Sequence, residues 1–233
     1  MSESQTSRAR MIGGIREALG RGRLPPEKRE ALERRLRFPR ANVVPARGQR
    51  DGAARIELFI AEAERVNATT ERLDGWRLVP AAVAGYLRAH DLPMAVRAAT
   101  DPALAAAPWA DEPDLSVTVG AAEAGDLVGV ASAFAGIAET GTLMLLSGPA
   151  SPTSLNFLPA HHLVAIAENR IVGAYEDAFV LLRAEIGVGI ALPRVINWIT
   201  GPSRTADIEQ TLLLGAHGPR RLHILVIRDH GGG

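Results

Sequence analysis

The sequence predicts an α/β fold whose mostly parallel sheet is flanked by helices. Beyond residue 66, short runs of β-prone residues alternate with segments of helical periodicity. Such alternation is typical of parallel strands joined by helices that cover both faces of a sheet. The 233 residues are 47% hydrophobic and 22% charged, so they contain enough apolar material for one sizeable core. We therefore expect one α/β domain, residues 46–233, preceded by a helical arm.

The predicted arm, residues 1–45, is basic. Residues 1–50 contain 13 of the 26 basic side chains and only 5 of the 26 acidic ones, although the net charge of the chain is zero. Two helices are expected here, the first ending at Gly20 and the second ending before Pro39. No aromatic residues alternate with the charges, so the pattern favours a solvated helical pair over a nucleic-acid-binding arm. Docking of the arm to an acidic partner protein is the alternative.

The elements of the α/β domain follow in a regular order. A helix is expected at residues 51–66, and the stretch at residues 136–172, which has little helical periodicity, should be locally antiparallel or rich in loops. The predicted strands are "WRLV" (76–79), "MAVRA" (94–98), "LSVTVG" (115–120), "TLMLL" (142–146), "HLVAIA" (162–167) and "RLHILVI" (221–227). Further helices are predicted at "PAAVAGYLRAH" (80–90), "AYEDAFVLLRAEI" (174–186) and "RTADIEQTLLLG" (204–215).

Several classes of protein are excluded by what the sequence lacks. The only Lys, Lys28, lies in the arm, so there is no phosphate-binding GxxxxGK[ST] loop, and no Gly-rich dinucleotide fingerprint or GxSxG elbow occurs. The chain contains no Cys, which rules out disulfides, thiolate zinc sites and iron–sulfur clusters held by four Cys. No metal site, membrane span, secretory signal or nucleic-acid site is predicted, and we expect a cytoplasmic protein.

One carboxylate, Glu139, stands alone in the apolar stretch "GIAETGTLML". A buried carboxylate must be paired, hydrogen-bonded or protonated, and burial raises its pKa toward the range that is useful for proton transfer. Glu139 is therefore the candidate catalytic residue, with Thr140, Gly141 and Thr142 as candidate ligand-binding residues of the same turn. The alternative is a structural carboxylate that accepts hydrogen bonds from its own turn.

The loop at residues 147–162 is rich in Ser, Gly and Pro and ends in two adjacent His residues. Ser147, Gly148 and His161 are candidate ligand-binding residues of this loop. Because adjacent residues of a strand point to opposite faces, at most one of the two His side chains faces a given site. One satisfied and one exposed His is the alternative, and it is favoured over a metal site.

A third loop, "GPSRT", precedes the helix predicted from Arg204. Ser203 would cap that helix, and Arg204 and Thr205 would add a cation and a hydroxyl group at its positive end. This is how anion sites for phosphate or carboxylate are built. His217, which follows the predicted helix, is added to the candidate ligand-binding set, and Arg204 is a candidate charged neighbour of Glu139.

The same loops resemble the lactate-utilization protein C family, whose members contain the LUD domain. The similar segments are "AETGTLML", "LPAHHLVAIAENRIV", "NWITGPSRTADIEQTLLLGAHGP" and "LHILVI", within about residues 110–228. The resemblance implies a fold like that of the superfamily of glucosamine-phosphate isomerase, ribose-phosphate isomerase and CoA transferases. In the CoA-transferase branch, a Glu before a Gly-containing turn is the nucleophile. Glu139-Thr140-Gly141 resembles that arrangement in its Glu and Gly only.

The resemblance also implies a role in the oxidation of L-lactate to pyruvate together with two iron–sulfur partner proteins. No cofactor is expected on this chain, which agrees with its lack of Cys. The leading hypothesis is a component of that system that binds a small carboxylate or phosphate-bearing ligand at one composite site. That site would be built from Glu139, Thr140, the loop at residues 147–162, Ser203, Arg204 and Thr205. The alternatives are a stand-alone enzyme, CoA-transferase-like or sugar-phosphate-isomerase-like, that uses Glu139, and a non-catalytic scaffold docked through the arm. Homo-oligomerisation is left open.

Overall fold

The computed structural model describes residues 3–20, 22, 24–38, 43–187, 192–206, 212–214 and 217–228. It divides into two compact units, residues 1–42 and 43–233. The first contains helices α1 (Glu3–Ala18) and α2 (Pro26–Arg37). Helix α2 begins with Pro at its first position, has an acid in its first turn and ends in basic residues, which suits the helix dipole. Both predicted helices are confirmed.

The second unit is built on a six-stranded sheet in which every neighbouring pair is parallel. Its order is β1-β12-β7-β4-β2-β3. The strands are β1 (Thr69–Leu73), β2 (Ala95–Ala98), β3 (Ser116–Val119), β4 (Val128–Ser132), β7 (His161–Ala167) and β12 (Arg221–Ile227). The α/β fold with a mostly parallel sheet is confirmed. The prediction missed β1, whose sequence "TTERL" is mostly polar because only Leu73 is buried. It also missed the central strand β4, whose sequence "VGVAS" is largely buried but contains Gly and Ser.

The order of the strands places a reversal of winding between β2 and β4. From β2 the chain moves outward to the edge strand β3, then returns across β2 to β4 and continues through β7 to β12 on the other side. In open α/β sheets, ligands bind outside the carboxyl ends of the strands at such a reversal. The fold therefore points to one particular edge of the sheet.

Helices cover the large sheet and complete its core. They are α3 (Gly52–Arg65), α4 (Val79–Ala89) and the short α5 (Pro102–Ala105). Phe59 of α3 and Val83 and Leu87 of α4 are fully buried in the same cluster as the central strands. Removing side chains of this size from water contributes about 1.5–3 kcal/mol each. None of the described helices is long and apolar enough to cross a membrane.

A second, four-stranded sheet has the order β8-β5-β6-β9. It consists of β5 (Ala135–Ile137), β6 (Thr142–Leu146), β8 (Ile171–Val172) and β9 (Ile196–Ile199). Strand β6 runs antiparallel to both β5 and β9, which confirms the local antiparallel pairing predicted for this region. Helix α6 (Tyr175–Ile186) buries Ala178 and Leu182 against this sheet.

Two predicted elements are wrong. Residues 76–78 form a 3₁₀ turn that leads into α4, because Gly75 has a φ of 130° and Pro80 lies in the first turn of the helix. The helix predicted from Arg204 is also absent. Strand β10 (Arg204–Ala206) pairs antiparallel with β11 (Leu212–Leu214), so the backbone groups after Ser203 belong to a two-stranded ladder. Asp207, Ile208 and Glu209 of the predicted helix lie outside the described residues.

Candidate functional site

The predicted site residues separate along strand β6. Glu139, Thr140 and Thr142 lie at the beginning of this strand, and Ser147 and Gly148 follow its end. Five residues of an extended strand span about 17 Å. The two sets therefore belong to different places rather than to one composite site.

The Glu139 turn is held in a narrow space. Gly141 has a φ of 64°, and a Cβ atom on it would lie 2.2 Å from the backbone nitrogen of Ala63 in α3. Only Gly fits there. Glu139 itself is only 4% exposed. Nε of Arg47 lies 4.0 Å from Oε2 of Glu139, and the backbone of Tyr175 hydrogen-bonds to the carboxylate. Oε2 has no hydrogen-bond partner in the described part of the chain.

Burial raises the pKa of Glu139, and the nearby Glu176 and Asp177 raise it further, whereas Arg47 lowers it. The cation beside this carboxylate is thus Arg47. The expectation that Arg204 neighbours Glu139 is not met, since Arg204 donates from Nη2 to the carbonyl oxygen of Val66 at 3.2 Å. A desolvated carboxylate with one oxygen that accepts no hydrogen bond in the described part of the chain has the chemistry of a proton-transfer group or a nucleophile.

A chain of hydroxyl groups starts beside Glu139. Thr142 Oγ1 lies 2.7 Å from Thr140 Oγ1, 2.9 Å from the Tyr175 hydroxyl and 2.7 Å from Thr200 Oγ1. Thr142 is fully buried, so these bonds satisfy a hydroxyl group that has no access to water. Thr200 also lines a pocket, so this row of hydroxyl groups extends from the Glu139 turn to the pocket wall.

This pocket lies at the amino ends of β7 and β12, and we call it the amino-edge pocket. It encloses about 280 Å³. Its lining includes Asn156, His162, Trp198, Ser203, Arg204 and His217, as well as Thr200. Three predicted ligand-binding residues, Ser203, Arg204 and His217, therefore do come together. They do so on loops beside the β10–β11 ladder, without a helix terminus; the predicted Thr205 lies in β10.

The predicted ligand-binding residue His161 does not line the amino-edge pocket. It lies on the opposite face of β7, where its Nδ1 is 3.0 Å from the Tyr86 hydroxyl. Burial lowers the pKa of His161, and Arg221 and His90 lower it further. The adjacent residue His162 lines the amino-edge pocket, and it was not among the predicted ligand-binding residues. Alternation along the strand predicted the separation, but a strand covered on both faces does not reveal which face carries a site.

A second opening lies at the carboxyl ends of β2, β4 and β7, and we call it the carboxyl-edge cleft. It encloses about 480 Å³. Its lining includes Trp76, Asp101, Ser132, Phe134, Ser147 and Arg170. The predicted residues Ser147 and Gly148 lie here, where the winding of the sheet reverses. Asp101 and Arg170 were missed, although Asp101 lies in the loop that follows a predicted strand ending at Ala98 and so could have been noticed.

Two groups of opposite charge give the cleft its chemistry. Asp101 Oδ1 accepts a hydrogen bond from the backbone of Leu104 at 3.3 Å, while Oδ2 is buried and has no partner in the described part of the chain. Arg170 is ion-paired with Glu185, and its guanidinium carbon lies 5.4 Å from the centre of the Phe134 ring. Ser147 Oγ accepts the backbone N–H of Val195 at 2.9 Å. Across the described residues, no three His, Asp or Glu side chains form a metal-binding group.

Residues 122–227 match the family model of the LUD domain, which confirms the resemblance seen in the sequence. Lactate utilization protein C from Geobacillus sp. is 37% identical over 102 residues, and that from Bacillus subtilis is 34% identical over 102 residues. Each alignment covers 44% of this chain and 42% of the relative. An uncharacterized protein from Neisseria meningitidis is 41% identical over 103 residues, covering 44% of this chain and 43% of that protein. The chain thus matches less than half the length of these relatives.

A solved structure extends the similarity beyond the matched segment. The crystal structure of a DUF162 family protein from Deinococcus radiodurans has a TM-score of 0.54 and 21% sequence identity to this chain. The alignment covers 75% of this chain and 97% of that one. At this identity the likeness shows a shared fold.

Proposed function

We propose that this chain is a cytoplasmic component of a lactate-utilization system and binds a small anionic ligand in the carboxyl-edge cleft. The observation that carries the proposal is the similarity of the LUD-matching region, residues 122–227, to proteins named lactate utilization protein C. The cleft is favoured because it lies outside the carboxyl ends of the parallel strands, at the reversal of winding.

The lining of the cleft suits a hydroxy acid or another small carboxylate or phosphate. Arg170 keeps donors beyond those that Glu185 uses, and a guanidinium binds carboxylate or phosphate through paired N–H groups. Asp101 Oδ2, which has no partner in the described part of the chain, is an acceptor for a ligand hydroxyl group. Trp76 and Phe134 exclude water from the remaining wall.

Oxidation of a 2-hydroxy acid to a 2-oxo acid releases two electrons and two protons. The chain has no Cys to hold an iron–sulfur cluster. The resemblance to the lactate-utilization protein C family implies two iron–sulfur partner proteins, and we propose that they hold the electron acceptors while this chain binds the anion.

Growth on L-lactate tests the role and the site separately. Deleting the gene should abolish growth, and the unaltered gene should restore it. Arg170→Ala should fail to restore growth because the anion loses its cation. Arg183→Ala is the matched control, since Arg183 also lies over a phenylalanine ring, at 5.6 Å from the centre of Phe179, but outside the cleft lining.

The two possible failures have different meanings. Normal growth of the deletion strain would contradict the lactate-utilization role. Growth restored equally by the Arg170 and Arg183 variants would contradict the cleft as the binding site while leaving the role intact.

A second candidate function is a stand-alone enzyme, CoA-transferase-like or sugar-phosphate-isomerase-like, that uses Glu139. It is favoured by one observation, the buried Oε2 that has no hydrogen-bond partner in the described part of the chain. With a panel of CoA thioesters, hydroxylamine or borohydride should trap an adduct on Glu139 in the unaltered protein and none in Glu139→Gln. The absence of both adduct and turnover would contradict the transferase.

A further inference from the structure

The amino-edge pocket has a polar floor with unused hydrogen-bonding groups. His162 is completely buried, and neither ring nitrogen has a hydrogen-bond partner in the described part of the chain. The same is true of Oδ1 of Asn156, a residue that is 2% exposed. Both residues line the pocket. Buried polar groups are nearly always satisfied, so two such groups in one cavity indicate that something polar belongs there.

The chemistry of the floor specifies what it can take. Burial lowers the pKa of His162 to about 4, so the imidazole is neutral at pH 7. A neutral imidazole has one N–H donor and one acceptor nitrogen, and Asn156 Oδ1 is an acceptor. The floor therefore matches a ligand edge on which donors and acceptors lie side by side.

The walls are apolar and partly aromatic. Trp198 and Phe157 contribute rings, and Pro202, Pro219 and Leu222 contribute aliphatic surface. Trp198 is fixed from outside the pocket, because its ring centre lies 4.9 Å from that of Tyr175 and 5.6 Å from that of Phe179. Rigid aromatic surface of this kind suits a flat ring better than a flexible polyol.

The rim adds positive charge and hydroxyl groups. Arg204 and His217 are exposed, and Ser203 and Thr200 lie beside them. The two rim loops are tied together, since the backbone N–H of Ser203 donates to the carbonyl oxygen of Pro219 at 2.9 Å. An anionic group at this rim would meet a guanidinium and hydroxyl donors that are already in place.

We propose that the amino-edge pocket binds a nucleoside monophosphate, with the base on the His162–Asn156 floor and the phosphate at the Arg204 rim. This is a second site, beyond the proposed anion site in the carboxyl-edge cleft. Strand β7 separates the two, and its seven residues span about 23 Å. The volume of about 280 Å³ restricts the ligand to a single nucleotide.

Calorimetric titration of the full chain with AMP, GMP, CMP, UMP, ribose 5-phosphate, inorganic phosphate and L-lactate tests the proposal. At least one nucleotide should bind about tenfold more tightly than ribose 5-phosphate, because only the nucleotide satisfies the floor. Arg204→Ala should weaken that nucleotide about tenfold through loss of the charge-assisted bond. Asn156→Ala should bring the nucleotide close to ribose 5-phosphate.

Arg220→Ala is the matched control. It removes one exposed arginine near the same edge, but Arg220 does not line the pocket, so nucleotide affinity should not change.

His162→Leu should abolish the preference for the nucleotide over ribose 5-phosphate. If that variant does not fold, Arg204→Ala and Asn156→Ala still decide. Three results would overturn the proposal: no nucleotide binding tighter than ribose 5-phosphate, equal weakening by the Arg204 and Arg220 variants, or a crystal structure grown with nucleotide in which only ordered water bridges His162 and Asn156. None of these results depends on growth on lactate.

Discussion

His161 and His162 are adjacent in the chain, but they lie in contrasting environments on the two faces of β7. On one face, His161 bonds to Tyr86, whose ring stacks on His90 at 4.1 Å and lies 4.7 Å from His223. His223 in turn lies 2.8 Å from Thr69 Oγ1 through its Nδ1. On the other face, His162 lines the amino-edge pocket and, among the described residues, neither of its ring nitrogens has a hydrogen-bond partner.

The difference in hydrogen bonding distinguishes a face of β7 that stabilises the fold from a face that is suited to binding a ligand. The His161 face is a polar cluster in which His161 bonds to Tyr86 and His223 bonds to Thr69, and only Nε2 of His223 is buried without a partner in the described part of the chain. Mutual hydrogen bonds of this kind are how buried polar groups stabilise a fold. The His162 face leaves buried polar atoms unsatisfied beside a cavity, which costs stability unless a ligand or water completes them. Polar clusters of the first kind need no ligand, whereas the second kind indicates one.

The largest expected effect is acid sensitivity arising from the His162 face. The pKa of His162 is about 4 in the folded chain against an ordinary value of 6.5, so below pH 6.5 the unfolded chain binds a proton that the folded chain does not. Stability should therefore be complete above pH 6.5 and fall as the pH approaches 4. Between pH 7 and 4.5 this residue alone should cost about 2 to 3 kcal/mol.

Chemical denaturation of the unaltered protein and His162→Leu at both pH values measures this difference. The variant should lose about 2 to 3 kcal/mol less than the unaltered protein, because leucine does not titrate. Equal losses in the two proteins would mean that His162 is hydrated or paired, and would remove the contrast between the two faces.

The next effect concerns the close packing that covers the His162 face. A Cβ atom on Gly129 of β4 would lie 2.8 Å from the carbonyl oxygen of Leu155 and 2.9 Å from Cγ of Pro159. Gly129→Ala should therefore cost about 2 kcal/mol through overpacking. Gly85→Ala is the control, since nothing lies within 4 Å of that added methyl group and alanine favours helix α4. Denaturation midpoints that shift alike for both variants would contradict the tight cover.

The smallest effect is expected from a substitution that makes the two faces of β7 more alike. Tyr86→Phe removes the hydroxyl group that bonds to His161 Nδ1 and leaves that nitrogen unpartnered, as in His162. The expected cost is about 1 kcal/mol, measured as the free energy of unfolding at pH 7. A variant as stable as the unaltered protein would show that the Tyr86–His161 bond does not distinguish this face from the other.

The sequence was informative about the sheet where strands are apolar and bounded by turns. Strands β7 and β12 were predicted from continuous apolar runs, and they lie at the centre of the sheet. Strand β1 was missed because it is a polar edge strand. Strand β4 was missed, although it is buried beside β7, because Gly and Ser interrupt its short apolar run. The helix predicted from Arg204 failed because the run Leu212–Leu214 fits both helical and β periodicity, and only pairing with Arg204–Ala206 decides between them.

The site was less predictable from the sequence, because strand β6 determines which of the site residues lie close together. Ser147 and Ser203 both lie in loops of similar composition, yet one is in the carboxyl-edge cleft and the other in the amino-edge pocket. Their separation follows from the antiparallel register of β6 with β9, which pairs Leu143 with Ile199. Asn156 and His162 were missed because an unsatisfied atom is a property of three-dimensional surroundings rather than of spacing.

The turn Ala46–Gly48 has a practical consequence for anyone trimming the chain. A Cβ atom on Gly48 would lie 2.7 Å from the carbonyl oxygen of Gly173 and 3.1 Å from Cβ of Glu139, so this turn covers the buried carboxylate. A truncated protein starting at Asp51 would keep every strand of both sheets but lose this cover and Arg47 with it. Its Glu139 would be hydrated, and an assay of such a fragment would report on an ordinary surface acid.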